Sequence, residues 1–306
     1  MTVTGTGRAG RVGLRVSRDS LFGYLLLAPA VVLLALLIVY PLVLALVLSL
    51  TPGRFLNPAN APPGLSLEHY RRVLFSIQTW GDLLRSFLYV FGSIAPAFLT
   101  GLGLALLFRQ PFQGRRWLRT TVLLPWAVPG VAASTVFLWM FDASFGIVNK
   151  ILLRLGLLAF PIAWLADTRT ALAAVIVPTA WKLFPLFTMV FMAALQAIPL
   201  ELYEAAKVDG ASLRAQFRSV TWPGLRVSAA IVTLIAFLGV FREFDFIFPL
   251  TSGGPGRATM TLAIDIFLQA FQYSDLGYAA ALGILSLLVA ALAVLVATRA
   301  MRRSAA

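Results

Sequence analysis

Six separate stretches of this 306-residue chain, residues 21–50, 86–108, 120–141, 171–198, 227–250 and 276–298, are each apolar enough and long enough to cross a membrane. A hydrocarbon core about 30 Å thick needs roughly 20 helical residues. Backbone N–H and C=O groups inside lipid must find partners within the chain, so apolar segments of this length are expected to be helices. A mean hydropathy of +0.89, with 60% hydrophobic and 12% charged residues, agrees. The expected fold is an all-α membrane protein with six transmembrane helices. There is no cysteine, which excludes disulfides and thiolate chemistry.

Arg8, Arg11, Arg15 and Arg18 precede the first apolar run, and Ala28-Pro29-Ala30 resembles a small-x-small cleavage site. The run continues too far beyond that site for a signal sequence, so it is expected to be a retained span after a tail over residues 1–20. With an inside N-terminus, the inner segments hold Arg8, Arg11, Arg15, Arg18, Arg109, Arg115, Arg116, Arg119, Lys207, Arg214, Arg218, Arg226, Arg299, Arg302 and Arg303. The outer ones hold only Arg54, Arg71, Arg72, Arg85, Lys150, Arg154, Arg169 and Arg257. This bias predicts that both ends lie inside, with a second tail over 299–306. It also explains the net charge of +13 as topological rather than nucleic-acid-binding. Residues 145–165 are apolar, but Lys150, Arg154 and Pro161 interrupt them. A seventh span there would reverse the charge bias, so a short amphipathic helix on the outer surface is expected.

One inner segment is out of character. "ELYEAAKVDGASLRAQFRSVTWPG", residues 201–224, is charged and sharply punctuated. Pro199 precedes a helix from about Glu201, on which Leu202, Ala205 and Ala206 share a face. Asp209-Gly210 stops it, with Gly210 left-handed. Ser212 caps a second helix carrying Leu213, Phe217 and Val220, and Pro223 ends that one. Small and apolar residues ringed by Glu204, Lys207, Arg214 and Arg218 make either a docking surface or an amphipathic loop resting on the membrane.

The order Glu204-Ala205-Ala206, three residues, Gly210, nine residues, Val220-Thr221-Trp222-Pro223 resembles the EAA loop of permease subunits in bacterial binding-protein-dependent ABC importers, with Val220 and Trp222 departing from that pattern. "FDFIFPLTSGGPGRATMTLAIDIFLQAFQYSDLGYAAALGILSLL" is similar to the end of the larger-type permeases of maltose and glycerol-3-phosphate importers, and "LLLAPA" with "YPLVLALVLSL" fits the same branch. The resemblance implies a type I importer permease fold over residues 84–298, containing a coupling loop at 199–226, with residues 21–50 as the first span. It implies a subunit without bond chemistry and without a cofactor of its own. Its partners would be a second related permease, a cytoplasmic ATPase dimer and an extracytoplasmic solute-binding protein, in the cell inner membrane. The coupling residues would be Glu204, Ala205, Ala206, Asp209, Gly210, Leu213 and Phe217. The substrate would be a sugar, oligosaccharide or polyol phosphate.

The sequence itself supports part of this. None of its lysines, Lys150, Lys182 and Lys207, sits in a GxxxxGK[ST] loop, so ATP energy has to come from a partner. A secondary transporter would leave the loop without a purpose, and no pair of catalytic groups within the spans suggests an intramembrane enzyme. Lys182 lies near the middle of its span, where charge is costly. It is either a pathway residue or half of a structural pair, with Pro178 and Pro185 loosening the helix around it. Trp139, Trp181 and Asp245 are further pathway candidates. Arg242, Glu243 and Asp245 are expected to form an outer ion-pair network. His69 has no ligand set around it and is expected to be an exposed loop residue. Gly101-Leu-Gly-Leu-Ala105 predicts close helix packing, and Ser252-Gly253-Gly254-Pro255-Gly256 a tight turn.

Overall fold

The computed structural model describes residues 18–305, with side chains over 23–301. Among the described residues every regular element is helical. The chain divides into two compact units, residues 1–47 and 48–306. Among its described residues, the first holds the greater part of a single apolar helix, α1 (Gly23–Ser49). A π-turn interrupts it at Ala35–Val39, and Pro41 follows after one residue, Tyr40.

The second unit contains α2 (Glu68–Phe75), α3 (Ile77–Leu107), α4 (Arg115–Ala127), α5 (Gly130–Met140), α6 (Ile147–Arg154), α7 (Ala171–Gln196), α8 (Leu200–Val208), α9 (Leu213–Val240), α10 (Ile247–Thr251), α11 (Leu262–Gln272) and α12 (Leu276–Met301). Its centre is the α3–α7 pair, against which α9 packs; α12 lies against α9 and α2. Lipid is as apolar as the side chains, so close packing rather than water exclusion holds such helices together. The glycines of α3 show this. A Cβ on Gly101 would stand 2.5 Å from Phe187 Cβ and 2.9 Å from the Thr188 backbone nitrogen, and one on Gly92 would stand 2.6 Å from Ile176 Cδ1. Phe98 fits edge-on to Phe187 and Phe191, with ring centroids 5.6 and 5.0 Å apart. The Tyr89 hydroxyl bonds the Thr179 hydroxyl across the same seam.

Five of the six expected spans are single helices in this unit or the first, with shifted ends, and the third is a bent pair. The third span is not straight: α4 and α5 meet at 95°. Pro129 has no N–H to continue a helix and drives Val128 into an extended conformation, which Val128 adopts at φ −74° and ψ 130°. The fifth span begins inside the polar loop, at Leu213, and stops at Val240, leaving the sequence beyond it to the short α10.

The second span starts at Ile77, nine residues earlier than expected, and so includes Asp82 and Arg85. Asp82 is fully buried, and its two carboxylate oxygens bind Arg85 and Arg257. Arg257 also lies 3.6 Å from Asp265. A second buried carboxylate, Asp275, joins Arg54 at 3.3 Å and Arg72 at 2.9 Å. The Gly-rich stretch is the expected tight turn, with positive φ at Ser252, Gly253, Gly256 and Arg257, and it aims Arg257 at Asp82. His69 is not exposed. It is completely buried and Nε2 bonds the Thr51 carbonyl oxygen at 2.9 Å. Gly277 makes room for the imidazole, since a Cβ there would lie 2.3 Å from Nε2. At 145–165 the eight-residue α6 is too short to cross a membrane. Asn149 ties it to the following loop by accepting from Trp164 Nε1 at 2.9 Å and donating to the Ile162 carbonyl at 2.9 Å.

Candidate functional site

The polar loop between α7 and α9 folds as a short helix, a turn and a second helical turn. In α8, the Ala211 N–H returns to the Ala206 carbonyl at 2.9 Å and Gly210 N–H to Lys207 at 3.0 Å, the bonding of a glycine-terminated helix. Gly210 takes φ +73°, as expected. Ser212 Oγ accepts the Ala215 N–H at 3.3 Å, the expected cap, and Gln216 Nε2 donates to the Ala211 carbonyl at 2.9 Å, which closes the turn from the other side.

Pro223 does not end the second helix. The chain runs from Leu213 to Val240 as one helix, with a π-turn at Phe217–Thr221 that ends one residue, Trp222, before Pro223. A proline lacks the N–H for an i−4 bond and crowds the i−4 carbonyl. That carbonyl belongs to Ser219, inside the wider π-turn, so the crowding is relieved. Pro41 stands in the same relation to the π-turn of α1, where the carbonyl concerned is that of Leu37.

Of the expected coupling residues, Glu204, Ala205, Asp209, Gly210 and Leu213 are exposed, while Ala206 and Phe217 are half-buried. Phe217 stacks on Trp222 at 6.5 Å. Leu202, Val208 and Leu213, three apolar side chains, are also open. The residue that holds this surface in place was missed from sequence. Tyr203 is buried, its ring lies 3.6 Å beneath the guanidinium carbon of Arg109, and its hydroxyl bonds Thr221 Oγ1 at 3.0 Å. It pins α8 both to the segment after α3 and to the π-turn of α9. An aromatic residue between Leu202 and Glu204, one helical turn before Ala206, was the available signal.

A second cluster surrounds the bend between α4 and α5. Lys182 Nζ donates to the Val128 carbonyl at 2.8 Å, satisfying the group that Pro129 leaves without a helical partner. Asp245 presses on the start of α5: a Cβ on Gly130 would lie 2.7 Å from Asp245 Oδ2. Glu243 Oε1 accepts the Asp245 backbone N–H at 2.9 Å. Burial pushes the Glu243 carboxyl upward, Asp245 adds to that, and Lys182 partly offsets it. Trp181 packs edge-on against Phe137 at 5.5 Å. The bend thus brings Trp181, Lys182 and Asp245 together, whereas Trp139, 62% exposed, projects from α5 and joins none of these contacts among the described residues. The expected ion pairing of Arg242, Glu243 and Asp245 does not occur among the described residues. Arg242 Nε instead donates to the Leu238 carbonyl, four residues back, at 3.2 Å.

No group of three or more potential metal ligands occurs among the described residues. Residues 97–305 match the model of a family described as binding-protein-dependent transport system inner membrane component. The trehalose/maltose transport system permease protein of Thermococcus litoralis is 34% identical over 260 residues, 85% of each chain. The sulfoquinovosyl glycerol transport system permease protein of Agrobacterium fabrum is 36% identical over 275 residues, 87% of this chain and 85% of that one. A crystal structure of a bacterial alginate ABC transporter, in complex with alginate pentasaccharide-bound periplasmic protein, contains a chain of the same fold, with a TM-score of 0.80, 22% identity and coverage of 94% of this chain and 96% of that one.

Proposed function

We infer the function of this chain from one premise: it belongs to the family of binding-protein-dependent transport system inner membrane components. It is a multi-pass membrane protein and the permease subunit of an ABC importer. We propose that it carries a sugar, an oligosaccharide or a polyol phosphate, in keeping with the carbohydrates in its relatives' names. In this reading a solute-binding protein delivers the substrate from outside, a second related permease completes the pathway, and a separate ATPase dimer supplies the energy in the cytoplasm, beneath the inner membrane.

The observation that carries this reading is the loop at 200–221. It presents Glu204, Ala205, Asp209 and Leu213 outward on a base fixed by Tyr203. A surface meant only to rest on lipid has no need of a rigid turn with exposed acids at its tip. Docked into an ATPase cleft, it would pass the movement of that cleft directly into α9, as alternating access requires. Trp181 and Asp245, drawn together at the α4–α5 bend, line the proposed pathway, with Lys182 holding the bend.

The test is reconstitution with and without partners. The chain alone should neither bind nor hydrolyse ATP. The complete complex should hydrolyse it, and faster once loaded binding protein is added. Saturable ATP binding by the isolated chain would overturn the reading.

A further inference from the structure

We propose that Arg109, Arg115 and Arg119 form a binding site for the phosphate of an anionic lipid headgroup, in the leaflet on the coupling-loop side. The three arginines line one cavity of about 250 Å³ whose other walls include Phe108, Met192 and Leu195. Arg109 comes from the segment after α3, and Arg115 and Arg119 from the first turns of α4.

Their charges find little compensation. Arg109 lies over the Tyr203 ring, and Arg119 Nη2 donates to the Phe108 carbonyl at 2.9 Å. The buried Nε atoms of Arg115 and Arg119 have no hydrogen-bond partner. None of the five ion pairs among the described residues involves any of the three. Arg115 and Arg119, four residues apart on one helix, repel each other, and buried donors without acceptors cost free energy. An anion in the cavity removes both penalties, and phosphate matches the forked donors of arginine in a bidentate way.

The surroundings choose a lipid as the carrier of that phosphate. Trp117 is 80% exposed, and Leu118, Leu124 and Trp126 are open on the same helix. Aromatic and aliphatic side chains beside clustered arginines are the composition of a helix at a membrane interface. Acyl chains would lie against this open apolar surface while the headgroup enters the cavity. Arg116, exposed on the same helix, does not line the cavity and serves as an internal control.

The experiment measures lipid retention by the full chain in mild detergent, using native mass spectrometry with added phosphatidylglycerol or phosphatidylcholine. Phosphatidylglycerol should be retained in preference. The combined R109Q/R115Q/R119Q variant should bind it at least about tenfold more weakly, the scale of one charge-assisted hydrogen bond. R116Q should match the wild type. R109K/R115K/R119K keeps the charges that set insertion but loses the fork, and should fall between, which separates loss of the site from failure to fold. Unchanged retention by the triple Gln variant, or an equal loss in R116Q, would overturn the proposal. So would displacement of the lipid by millimolar inorganic phosphate, which would mark a site for a free anion. Loss of the copurifying ATPase with lipid affinity intact would instead assign the arginines to a protein contact.

Discussion

Lys182 Nζ lies 2.8 Å from the carbonyl oxygen of Val128, the residue at which the third span turns through 95°. A charge in the middle of one span therefore satisfies the backbone group exposed by a proline in another. Removing it with K182M leaves that carbonyl unpaired at a cost of about 1–3 kcal/mol. The expected result is a lower unfolding temperature for the purified protein together with slower uptake. A wild-type unfolding temperature would show that the bond contributes nothing.

Gly210 combines φ +73° with open space where a Cβ would stand, nothing being within 4 Å. Any effect of substitution there is conformational rather than steric. G210V should cost about 1–3 kcal/mol of backbone strain, displacing the second helix and uncoupling ATP hydrolysis from uptake while the chain still inserts. G210N, whose side chain tolerates the left-handed region, should retain most coupling. Equal transport by both variants would remove the turn from the mechanism.

Tyr203 makes two separable contacts. Y203F keeps the face beneath Arg109 and loses only the hydroxyl bond to Thr221, worth about 0.5–1.5 kcal/mol. Y203A loses both contacts and the buried ring. Hydrogen exchange over 200–208 should therefore speed up by about tenfold or less in Y203F, on the strength of that one bond, and by considerably more in Y203A. Uptake should fall in the same order.

Asp82 sits fully buried between Arg85 and Arg257. Taking the acid away leaves two cations facing each other beside a buried gap, and breaking such a pair costs about 3–5 kcal/mol. D82A should give poor yield and a sharply lowered unfolding temperature. R257Q should be milder, because Arg257 is 30% exposed and water can replace part of the lost contact. Equal stability of D82A and wild type would contradict this account.

The chain has no cysteine, so a single one at the exposed Ala215 reports sidedness. With the coupling loop inside, A215C should react with a membrane-impermeant thiol reagent only after cells are opened. Labelling on intact cells would reverse the orientation.

The apolar lengths made most spans legible, and the spacing from Glu204 to Pro223 located the loop with its left-handed Gly210 and its Ser212 cap. What escaped the sequence depends on partners far along the chain. Asp82 and Arg85 read as the end of a span because the neutralising Arg257 comes 175 residues later. Val128-Pro129 lay inside a continuous apolar run, and hydropathy records length without direction, so the bend was invisible. Pro223 read as a stop because a π-turn has no sequence signature to set against the usual rule. His69 read as exposed because its burial depends on a glycine at position 277. Lys182 reads from sequence as either a pathway residue or half of a structural pair; its partner is the backbone carbonyl of Val128 on another segment, which no pairing of side chains would reveal.

The continuity of α9 through Pro223 settles where the loop can bend. A helix of 28 residues is about 42 Å long, and the widened turn that absorbs the proline lets it run as one rod rather than two jointed pieces. Its lower end, from Leu213, is already half of the loop's surface. The compliant point lies at Gly210, just outside the rod, with α8 on the far side held by Tyr203. A push on Leu213 therefore acts at the end of a stiff lever reaching to Val240, three residues short of Glu243. A push on Glu204 must first load the Tyr203 anchor. The two halves of one small loop would serve as separate inputs, one driving the lever and the other gripping the frame against which it moves.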